Sequence, residues 1–584
     1  MDLLANHDYD INNRFVEYDQ VVPNFVSKNV REYCDRLAKA KAKEIQLTGG
    51  GKPPAAHPEL STASVAANAV NMEPTATEAF AAVVMVDVSG YSTLTSTLSD
   101  QGAIGAEILS KTMKGYLDKI IQTILLHGGD IVKFAGDAVI FYWKVKPSPK
   151  MSPADEEIER GEVVLKACHC CMDLLNNLGT YHIDVPQSST DTLRIHLGIG
   201  AGKVFDIYVG GNPGRWEHFI AGDAVSQLSH VLDLAKAGEL AMSHQALKFF
   251  SGVVNIDTVN IGDYDKRCII LHGLENAKRK ISAPSPKEDE DLALWEIAPV
   301  EANVELYKKF INQSALYKLQ ADINQCRLFR AESGLHGLLS LHELRQVTTV
   351  FIKLGSLSRW ETKEQLVEAQ EAMNIVQAAL NRYEGSLRQF HVDDKGATIL
   401  CFFGLPPLAH ENDAEYGIKA AMEICEEFKI IFSDFSIGMT TGIVSTGGVG
   451  NAIRTEYAVM GDSINMAARL MCHPEAHLSI LVDQRSFNLC ERILHFDSLG
   501  EVKVKGKTRP IAIFRPKELR IDPGSHRVSV HRNPADIIGR LLEKELVART
   551  LSYSQSDSEA KAPLVIMMAE GGQGLSSMVD YTKQ

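Results

Sequence analysis

The chain has 584 residues, which exceeds the size of one domain and predicts roughly three or four. Hydrophobic residues make up 45% of it and charged residues 23%, a composition that excludes a disordered chain, a collagen and a coiled-coil rod. The net charge is −14, from 60 Lys and Arg against 74 Asp and Glu. Because such a surface repels a phosphate backbone, we expect no nucleic-acid partner.

Cysteine use and hydropathy predict the compartment. The ten cysteines are scattered through apolar stretches without the spacing of a disulfide framework, which is typical of a reducing environment. The first residues are acidic and lack the apolar run of a secretory signal. No apolar run approaches the roughly 18 residues of a membrane span. The sequence therefore predicts a cytoplasmic protein without a transmembrane segment.

In chain order, composition divides the sequence into folded segments and linkers. A helix is predicted over residues 21–43, followed by a stretch rich in Gly, Pro, Ser and Thr. The predicted parts are a helix with a linker, a first domain, an inter-domain linker, a second domain and a C-terminal segment, at residues 1–77, 78–300, 301–342, 343–518 and 519–584.

The two predicted domains repeat one another weakly. The matched landmarks are a strand end, a hairpin and a glycine turn, at Asp87 and Lys353, at 127–137 and 383–393, and at Gly222 and Gly461. Chance matches would not keep this order, so we infer a duplicated domain. Each copy follows the order strand, helix, hairpin, helix, strand, which predicts an α+β chain of two ferredoxin-like βαββαβ domains.

Two carboxylates in the first copy suggest a metal site. Asp87 ends a buried strand, and Asp137 lies in the turn of the hairpin that neighbours this strand in a βαββαβ sheet. The loop 89–92 is small enough for its backbone N–H groups to wrap phosphates at a helix start. Each Asp alone fits a strand end or an ordinary turn. Together they predict a Mg²⁺ site of the two-metal kind.

The segments around these carboxylates resemble a known family. They are Met-Val-Asp-Val-Ser-Gly-Tyr at 85–91 and Gly-Gly-Asp-Ile-Val-Lys-Phe-Ala-Gly-Asp-Ala at 128–138. Both resemble the class III nucleotidyl cyclases, and the tandem arrangement is most similar to the soluble adenylyl cyclase subgroup. The resemblance covers about residues 78–518. It implies that the two domains pair head to tail as an intramolecular pseudo-dimer.

The resemblance also implies a set of ligands. Two Mg²⁺ or Mn²⁺ ions would be held by Asp87, Asp137 and the backbone carbonyl of Val88, with ATP as the substrate. His196 stands where the family often has Arg or Lys near the phosphates, which predicts pH-sensitive activity. The loop expected to contact the substrate consists of Ser89, Gly90, Tyr91 and Ser92.

From the second domain, the resemblance implies a ribose-positioning Asn465 and a transition-state Arg469. These residues are four apart, so they share one face of a helix. Lys505 matches the family's phosphate-contacting Lys. Gln389 and Ala458 occupy the base-recognition positions, where neither the adenine pair nor the guanine pair of the family is present. The Gln389 amide can bond to either base.

The copies are unequal, which predicts one working site. Lys353 replaces the first metal Asp in the second copy, and Ser226 and His230 stand where the second copy has the Asn and Arg. In soluble adenylyl cyclases the degenerate site binds bicarbonate through a Lys and an Arg. Lys133 matches that Lys, but Ser229 stands at the Arg position, so bicarbonate regulation is not expected.

The leading hypothesis is an adenylyl cyclase that makes cyclic AMP and pyrophosphate from ATP in intracellular signalling. The alternatives are a guanylyl cyclase and a catalytically inactive regulatory scaffold. Residues 571–577 resemble the start of the P-loop NTPase module of this subgroup. Ser576 and Ser577 stand at the Gly and Lys positions of a P-loop, so nucleotide binding is not expected there. The segment is also too short for that module, which predicts a truncated product or a fragment.

Overall fold

A computed structural model describes most of both predicted domains, the N-terminal helix and part of the segment between the domains. The described residues are 21–47, 70–91, 94, 97–98, 102–135, 138–145, 151–183, 192–265, 268–280, 303–329, 343–357, 360–362, 364–393, 396–450, 453–503 and 510–519.

The first half of the chain forms an N-terminal helix, one large mixed sheet with its helices, and a separate two-stranded sheet made of its eighth and eleventh strands. Its strands are β1 (Thr75–Ser89), β2 (Asp130–Ala135), β3 (Ala138–Lys144), β4 (Thr180–His182), β5 (Thr192–Gly210), β6 (Trp216–Ala221), β7 (Leu240–Ser243), β8 (Val254–Asn255), β9 (Asn260–Asp265), β10 (Cys268–Gly273) and β11 (Lys278–Arg279). Its helices are α1 (Lys28–Leu47), α2 (Gly102–Leu126), α3 (Pro153–Leu178), α4 (Asp223–Leu234) and α5 (His244–Val253).

The second half adds a second mixed sheet with its helices. The helices are α6 (Val304–Lys308), α7 (Gln313–Phe329), α8 (Gln365–Arg382), α9 (Asp413–Ile431), α10 (Asp462–Met471) and α11 (Gln484–Cys490). The strands are β12 (Glu343–Leu354), β13 (Ser386–Asp393), β14 (Gly396–Phe403), β15 (Phe435–Gly450), β16 (Thr455–Met460), β17 (Ile480–Asp483), β18 (Leu494–Val502) and β19 (Ile511–Leu519).

The two sheets have the same strand order. The first runs β2-β3-β1-β5-β7-β10-β9, and the second runs β13-β14-β12-β15-β17-β19-β18. In both, a hairpin partner, β6 or β16, pairs with the long central strand. That strand pairs in parallel with β7 in the first sheet and with β17 in the second. The predicted fold class, an α+β chain with two copies of one domain, is therefore confirmed.

Strand register repeats along with strand order. Asp87 and Lys353 each pair with the corresponding residue of the following long strand. Both hairpins carry an irregularity at the same place, just before Lys133 in β2 and just before Gln389 in β13. Because register decides which face a side chain occupies, the two copies place Asp87 and Lys353 in equivalent positions.

The two domains complete each other's cores. Phe205 and Phe219, from the β5–β6 hairpin of the first domain, belong to the core cluster of the second domain. Reciprocally, Val449 and Met460, from the β15–β16 hairpin, belong to the core cluster of the first domain. The domains are therefore joined by apolar hairpins, each of which packs into the core of the other domain.

Two glutamines of α8 fix the end of the first-domain hairpin. The Gln370 side chain accepts from the Gly210 amide at 2.8 Å and donates to the Gly210 carbonyl at 2.9 Å. The buried Gln377 accepts from the Asn212 amide at 3.1 Å and donates to the Arg215 carbonyl at 2.9 Å. These bonds satisfy backbone groups at the turn of the β5–β6 hairpin.

The segment predicted as an inter-domain linker carries helices α6 and α7. Leu306, Leu319 and Ile323 from these helices share a buried cluster with residues of α1 and of both sheets. This part of the chain is therefore packed against both domains. Among the described residues, no helix is long and apolar enough to cross a membrane.

The Gln377→Ala variant should lower the free energy of unfolding by about 2 kcal/mol, because it removes a buried side chain together with both of its hydrogen bonds to the hairpin backbone. Urea unfolding followed by tryptophan fluorescence checks this. Glu371→Ala, on the exposed side of the same helix, should change stability by less than about 0.5 kcal/mol. Equal effects of the two variants would contradict the role given to Gln377.

Candidate active site

The first domain contributes a carboxylate near the end of its central strand. Asp87 is 30% exposed, and its Oδ2 lies 3.4 Å from Nε2 of His196 on the neighbouring strand β5. Nδ1 of the same imidazole lies 2.9 Å from the Ser89 hydroxyl. His196 thus contacts both the carboxylate and the first residue of the predicted phosphate loop, and it holds their relative positions.

The loop that follows Asp87 turns sharply out of the sheet. Gly90 has a φ of +95°, a conformation that favours glycine. On either side of it, Val88 and Tyr91 are buried. The buried neighbours anchor the turn, and the carboxylate remains at the rim where a ligand has access.

The hairpin with the second predicted carboxylate ends beside the first. Val86 pairs with Val139, the second residue of β3, so the start of β3 lies at the same end of the sheet as Asp87. The predicted site residues outside the described part of the chain are Asp137, Ser92 and Lys505. The P-loop relic at 571–577 also lies outside it. The roles of these residues stay predictions.

In the second domain, a glycine seats the helix that carries Asn465 and Arg469. A Cβ on Gly438 of β15 would lie 2.2 Å from the Ala467 carbonyl oxygen and 2.4 Å from the Met471 nitrogen of α10. Only a residue without a side chain allows this approach. Asn465 and Arg469, four residues apart, lie in α10 as predicted and are partly exposed.

Two side-chain atoms of this helix, Oγ of Ser463 and one nitrogen of Arg469, lack a hydrogen-bond partner in the described part of the chain. Within the described residues, Nη1 of Arg469 is buried without a hydrogen-bond partner. A buried donor without an acceptor costs free energy, and for a charged group the cost is large. An anionic oxygen supplied by a ligand would satisfy this nitrogen.

Strand β16, which directly precedes α10 in the chain, packs against the first domain. Ala458 and Met460 pack against the core of the first domain, and α10 begins two residues later. Gln389, the other predicted base-contacting residue, is 7% exposed in β13. The described structure thus places Ala458 at the interface and Gln389 in a buried strand position.

The predicted degenerate site is filled by protein contacts. The Lys133 ammonium donates to Glu217 at 2.8 Å and to the Phe390 carbonyl of the second domain at 3.1 Å. Ser229 lies on α4, and its hydroxyl is buried without a hydrogen-bond partner in the described structure. Lys353 lies in β12 at the position equivalent to Asp87. The ammonium of Lys133, which matches the bicarbonate-binding Lys of the subgroup, is therefore engaged by a carboxylate here.

A buried charge cluster extends from Lys133 across the interface. Glu217 also accepts from Arg215 at 2.6 Å, and Glu456 of the second domain forms ion pairs with Arg388 and Arg454. Burial acts to raise the pKa of Glu456, but the charges of Arg388 and Arg454 outweigh it and hold that pKa below its ordinary value.

Sequence reasoning missed this cluster, although the sequence contains a signal. The pattern Arg-X-Glu occurs at Arg215 and Glu217 and again at Arg454 and Glu456. Both copies directly precede the matched glycine turns, so extending the repeat by a few residues would have found them. Arg454 also lies over the Phe134 ring of the first domain, 5.7 Å from its centroid.

Divalent metal ions fit the first-domain residues by their chemistry. Asp87 offers a partly exposed carboxylate, the hard oxygen ligand that Mg²⁺ prefers. Among the residues that the structure describes, no three His, Cys, Asp or Glu side chains converge as a metal cluster. The triple-cysteine segment of α3 is buried, and burial raises the pKa of Cys171; such a thiol is a poor metal ligand.

Comparison with known proteins identifies the second domain directly. Residues 339–515 match the model of the adenylate and guanylate cyclase catalytic domain. The chain is 26% identical over 415 residues to adenylate cyclase type 10 of Oryctolagus cuniculus, and 26% identical over 411 residues to that of Homo sapiens. Each alignment covers 67% of this chain and 24% of the relative. The chain thus spans about a quarter of the length of these relatives.

Solved structures give a weaker likeness. The adenylyl cyclase CyaB of P. aeruginosa is 21% identical with a TM-score of 0.28, covering 31% of this chain and 98% of that one. A class III adenylyl cyclase-like ATP-binding protein of Pseudomonas aeruginosa is 11% identical with a TM-score of 0.43, covering 71% of this chain and 85% of that one.

A double-mutant cycle should show that Lys133 and Glu217 are coupled by about 2 kcal/mol, since removal of either partner leaves buried charge uncompensated. The variants are Lys133→Met, Glu217→Gln and their combination, compared by urea unfolding. The exposed pair Lys203 and Glu78, at 3.2 Å, is the control and should couple by less than about 1 kcal/mol. Equal coupling energies in the two cycles would contradict a stabilising role for the buried ion pair of Lys133 and Glu217.

Proposed function

Since the chain belongs to the class III nucleotidyl cyclases through the catalytic domain at residues 339–515, we propose that it converts ATP into cyclic AMP and pyrophosphate. The reaction takes place at the interface of its two domains, with the single chain acting as an intramolecular pseudo-dimer. The exchanged hairpins support this arrangement because each domain completes the core of the other.

The observation that carries the proposal is the unpartnered guanidinium nitrogen of Arg469. It lies on a helix that Gly438 seats against β15 and that begins at the domain boundary. Arg469 supplies positive charge where negative charge develops on the transferring phosphorus, the kind of preorganised contact that lowers a barrier most. Asn465, one turn earlier on the same face, positions the ribose.

The first domain supplies the metal ligands. Asp87, Asp137 and the Val88 carbonyl would hold two divalent cations, which when bound lower the pKa of the ribose 3′-hydroxyl and neutralise the triphosphate. His196 keeps the Asp87 carboxylate oriented through its 3.4 Å contact. The backbone N–H groups of the loop 89–92 wrap the phosphates, and Lys505 adds a cation to them.

Only one of the two pseudo-equivalent sites is active. The second copy has Lys353 in the position of Asp87, and the first copy has Ser226 and His230 in place of Asn465 and Arg469. The metal ligands of the first domain and the Asn465 and Arg469 side chains of the second therefore belong to a single site shared by the two domains.

ATP is the proposed substrate because the adenylate cyclase type 10 relatives align over 67% of this chain. GTP is the second candidate, since the Gln389 amide can both donate and accept and therefore fits either purine edge. The cysteines of the described part are free, which supports a reducing, cytoplasmic location.

The Asp87→Asn variant should reduce cyclic nucleotide formation by about a hundredfold, because a neutral amide replaces an anionic metal ligand. Purified full-length chain is assayed with Mg²⁺ or Mn²⁺ and either ATP or GTP. Lys353→Asn, at the equivalent position of the degenerate site, should keep most of the activity. Absence of any cyclic product from the unmodified chain with either nucleotide would leave the regulatory scaffold as the remaining hypothesis.

The Arg469→Ala variant should lower kcat by about a hundredfold while the KM for ATP changes little, because the contact is made chiefly in the transition state. His230→Ala, at the pseudo-equivalent position of the first domain, is the matched control and should leave both constants unchanged. A change confined to KM would show instead that Arg469 contributes uniform substrate binding.

A further inference from the structure

The N-terminal residues 21–47, called the strap below, contact both domains and the segment between them. The strap contains a 3₁₀ turn at Val22–Phe25 and helix α1. Its apolar residues, among them Val26 and Tyr33, share one buried cluster with Tyr208 of the first domain and Tyr457 of the second. No part of the function proposed above has a use for these residues.

The strap is anchored to the first domain by its helix start. Asp130 accepts from the Lys28 amide at 3.0 Å and from the Asn29 amide at 2.9 Å. A carboxylate at this place satisfies free N–H groups and complements the helix dipole. Asp130 is the first residue of β2, and the other end of β2 leads into the hairpin turn with Asp137.

The Asn29 side chain enters a buried polar network of the first domain. Its amide nitrogen donates to Asp206 at 2.9 Å and to the Tyr208 hydroxyl at 2.8 Å. Asp206 also contacts His218 and Lys144, and these groups outweigh its burial and lower its pKa to about 2. A charged network of this kind tolerates little displacement of its members.

The strap reaches the second domain at a different catalytic element. The Arg31 guanidinium donates to the Ile453 carbonyl at 3.4 Å, in the turn that joins β15 to β16. Strand β16 leads directly to α10, which carries Asn465 and Arg469. Helix α1 therefore contacts the start of β2 in the first domain and the turn before β16 in the second.

The strap also closes the interdomain charge cluster. Val26, Ser27 and Val30 line one wall of a cavity of about 70 Å³, and Lys133, Glu217, Arg388 and Glu456 are among the residues of the facing wall. Removal of this wall would admit water to the ion pairs and weaken their attraction. The orientation of the two domains depends on these pairs and on the hairpins beside them.

We propose that the strap is a positioning element of the active site, with Asn29 and Asp130 as its anchoring residues. It holds the β2 hairpin of the first domain and the β16–α10 unit of the second in the orientation that brings metal ligands and Arg469 together. This inference rests on the proposed cyclase function only where it predicts that the strap affects the catalytic rate. The effect on interdomain structure follows without it.

The test uses the full chain with Asn29→Ala, and Lys39→Ala on the exposed side of α1 as the matched control. Asn29→Ala should lower kcat by about tenfold, since small misplacements of catalytic groups cost large factors in rate. Hydrogen exchange should rise in residues 130–135 and 453–460 of Asn29→Ala and stay unchanged in Lys39→Ala.

A second form of the chain separates positioning from folding. A protease site inserted between residues 48 and 69 allows the strap to be cut from the folded chain. An excess of a synthetic peptide of residues 21–47 carrying Asn29→Ala then displaces the cut native strap. Activity should fall, and excess native peptide should restore both activity and exchange protection. Unchanged protection at 130–135 and 453–460 in the Asn29→Ala chain and after displacement would overturn the proposal. If hydrogen-exchange protection is lost but the unmodified chain shows no cyclase activity, the positioning role of the strap is supported and the proposed cyclase function is refuted.

Discussion

The exchange of apolar hairpins between the domains is the constraint on which the rest of the structure depends. Phe205 and Phe219 lie in strands of the first sheet and complete the second core, while Val449 and Met460 lie in strands of the second sheet and complete the first core. Each core is thus finished by the other domain, so association is part of folding. Because cores pack densely and deform little, this exchange fixes the relative orientation of two surfaces, each of which carries only part of the site.

The charged residues at the interface include some that are paired with each other and some that have an unsatisfied atom. Lys133 with Glu217, and Arg388 with Glu456, are paired across short distances in buried surroundings, where an uncompensated charge would be costly. Arg469 differs, since one of its nitrogens is buried without an acceptor. Local rules of satisfaction fail chiefly where a ligand is expected to complete them, and an anionic ligand of the proposed site would supply the acceptor that this nitrogen lacks.

The sequence patterns predicted the fold better than the contacts between its parts. The order of elements along the chain and the duplicated domain follow from hydrophobic runs and turn residues, and Asn465 and Arg469 lie on one helix, α10, as their predicted common face requires. The helices within 301–342 were missed because their apolar residues, such as Leu319 and Ile323, bury against a surface that exists only after both domains fold. Arg215 with Glu217 was missed for a similar reason, since its partners lie far away in the chain.

The unequal copies explain why the degenerate half persists in this fold. A duplicated domain has two equivalent interfaces, and only one needs metal ligands. At the other, Lys353 has taken the position of the carboxylate, and Lys133 is bound by Glu217 and by a backbone carbonyl of the opposite domain. A residue freed from ligand binding has become a contact that joins the domains. A buried nitrogen of Arg469 without an acceptor costs stability that packing elsewhere in the chain must offset, and the contact of Lys133 with the second domain is one such contribution.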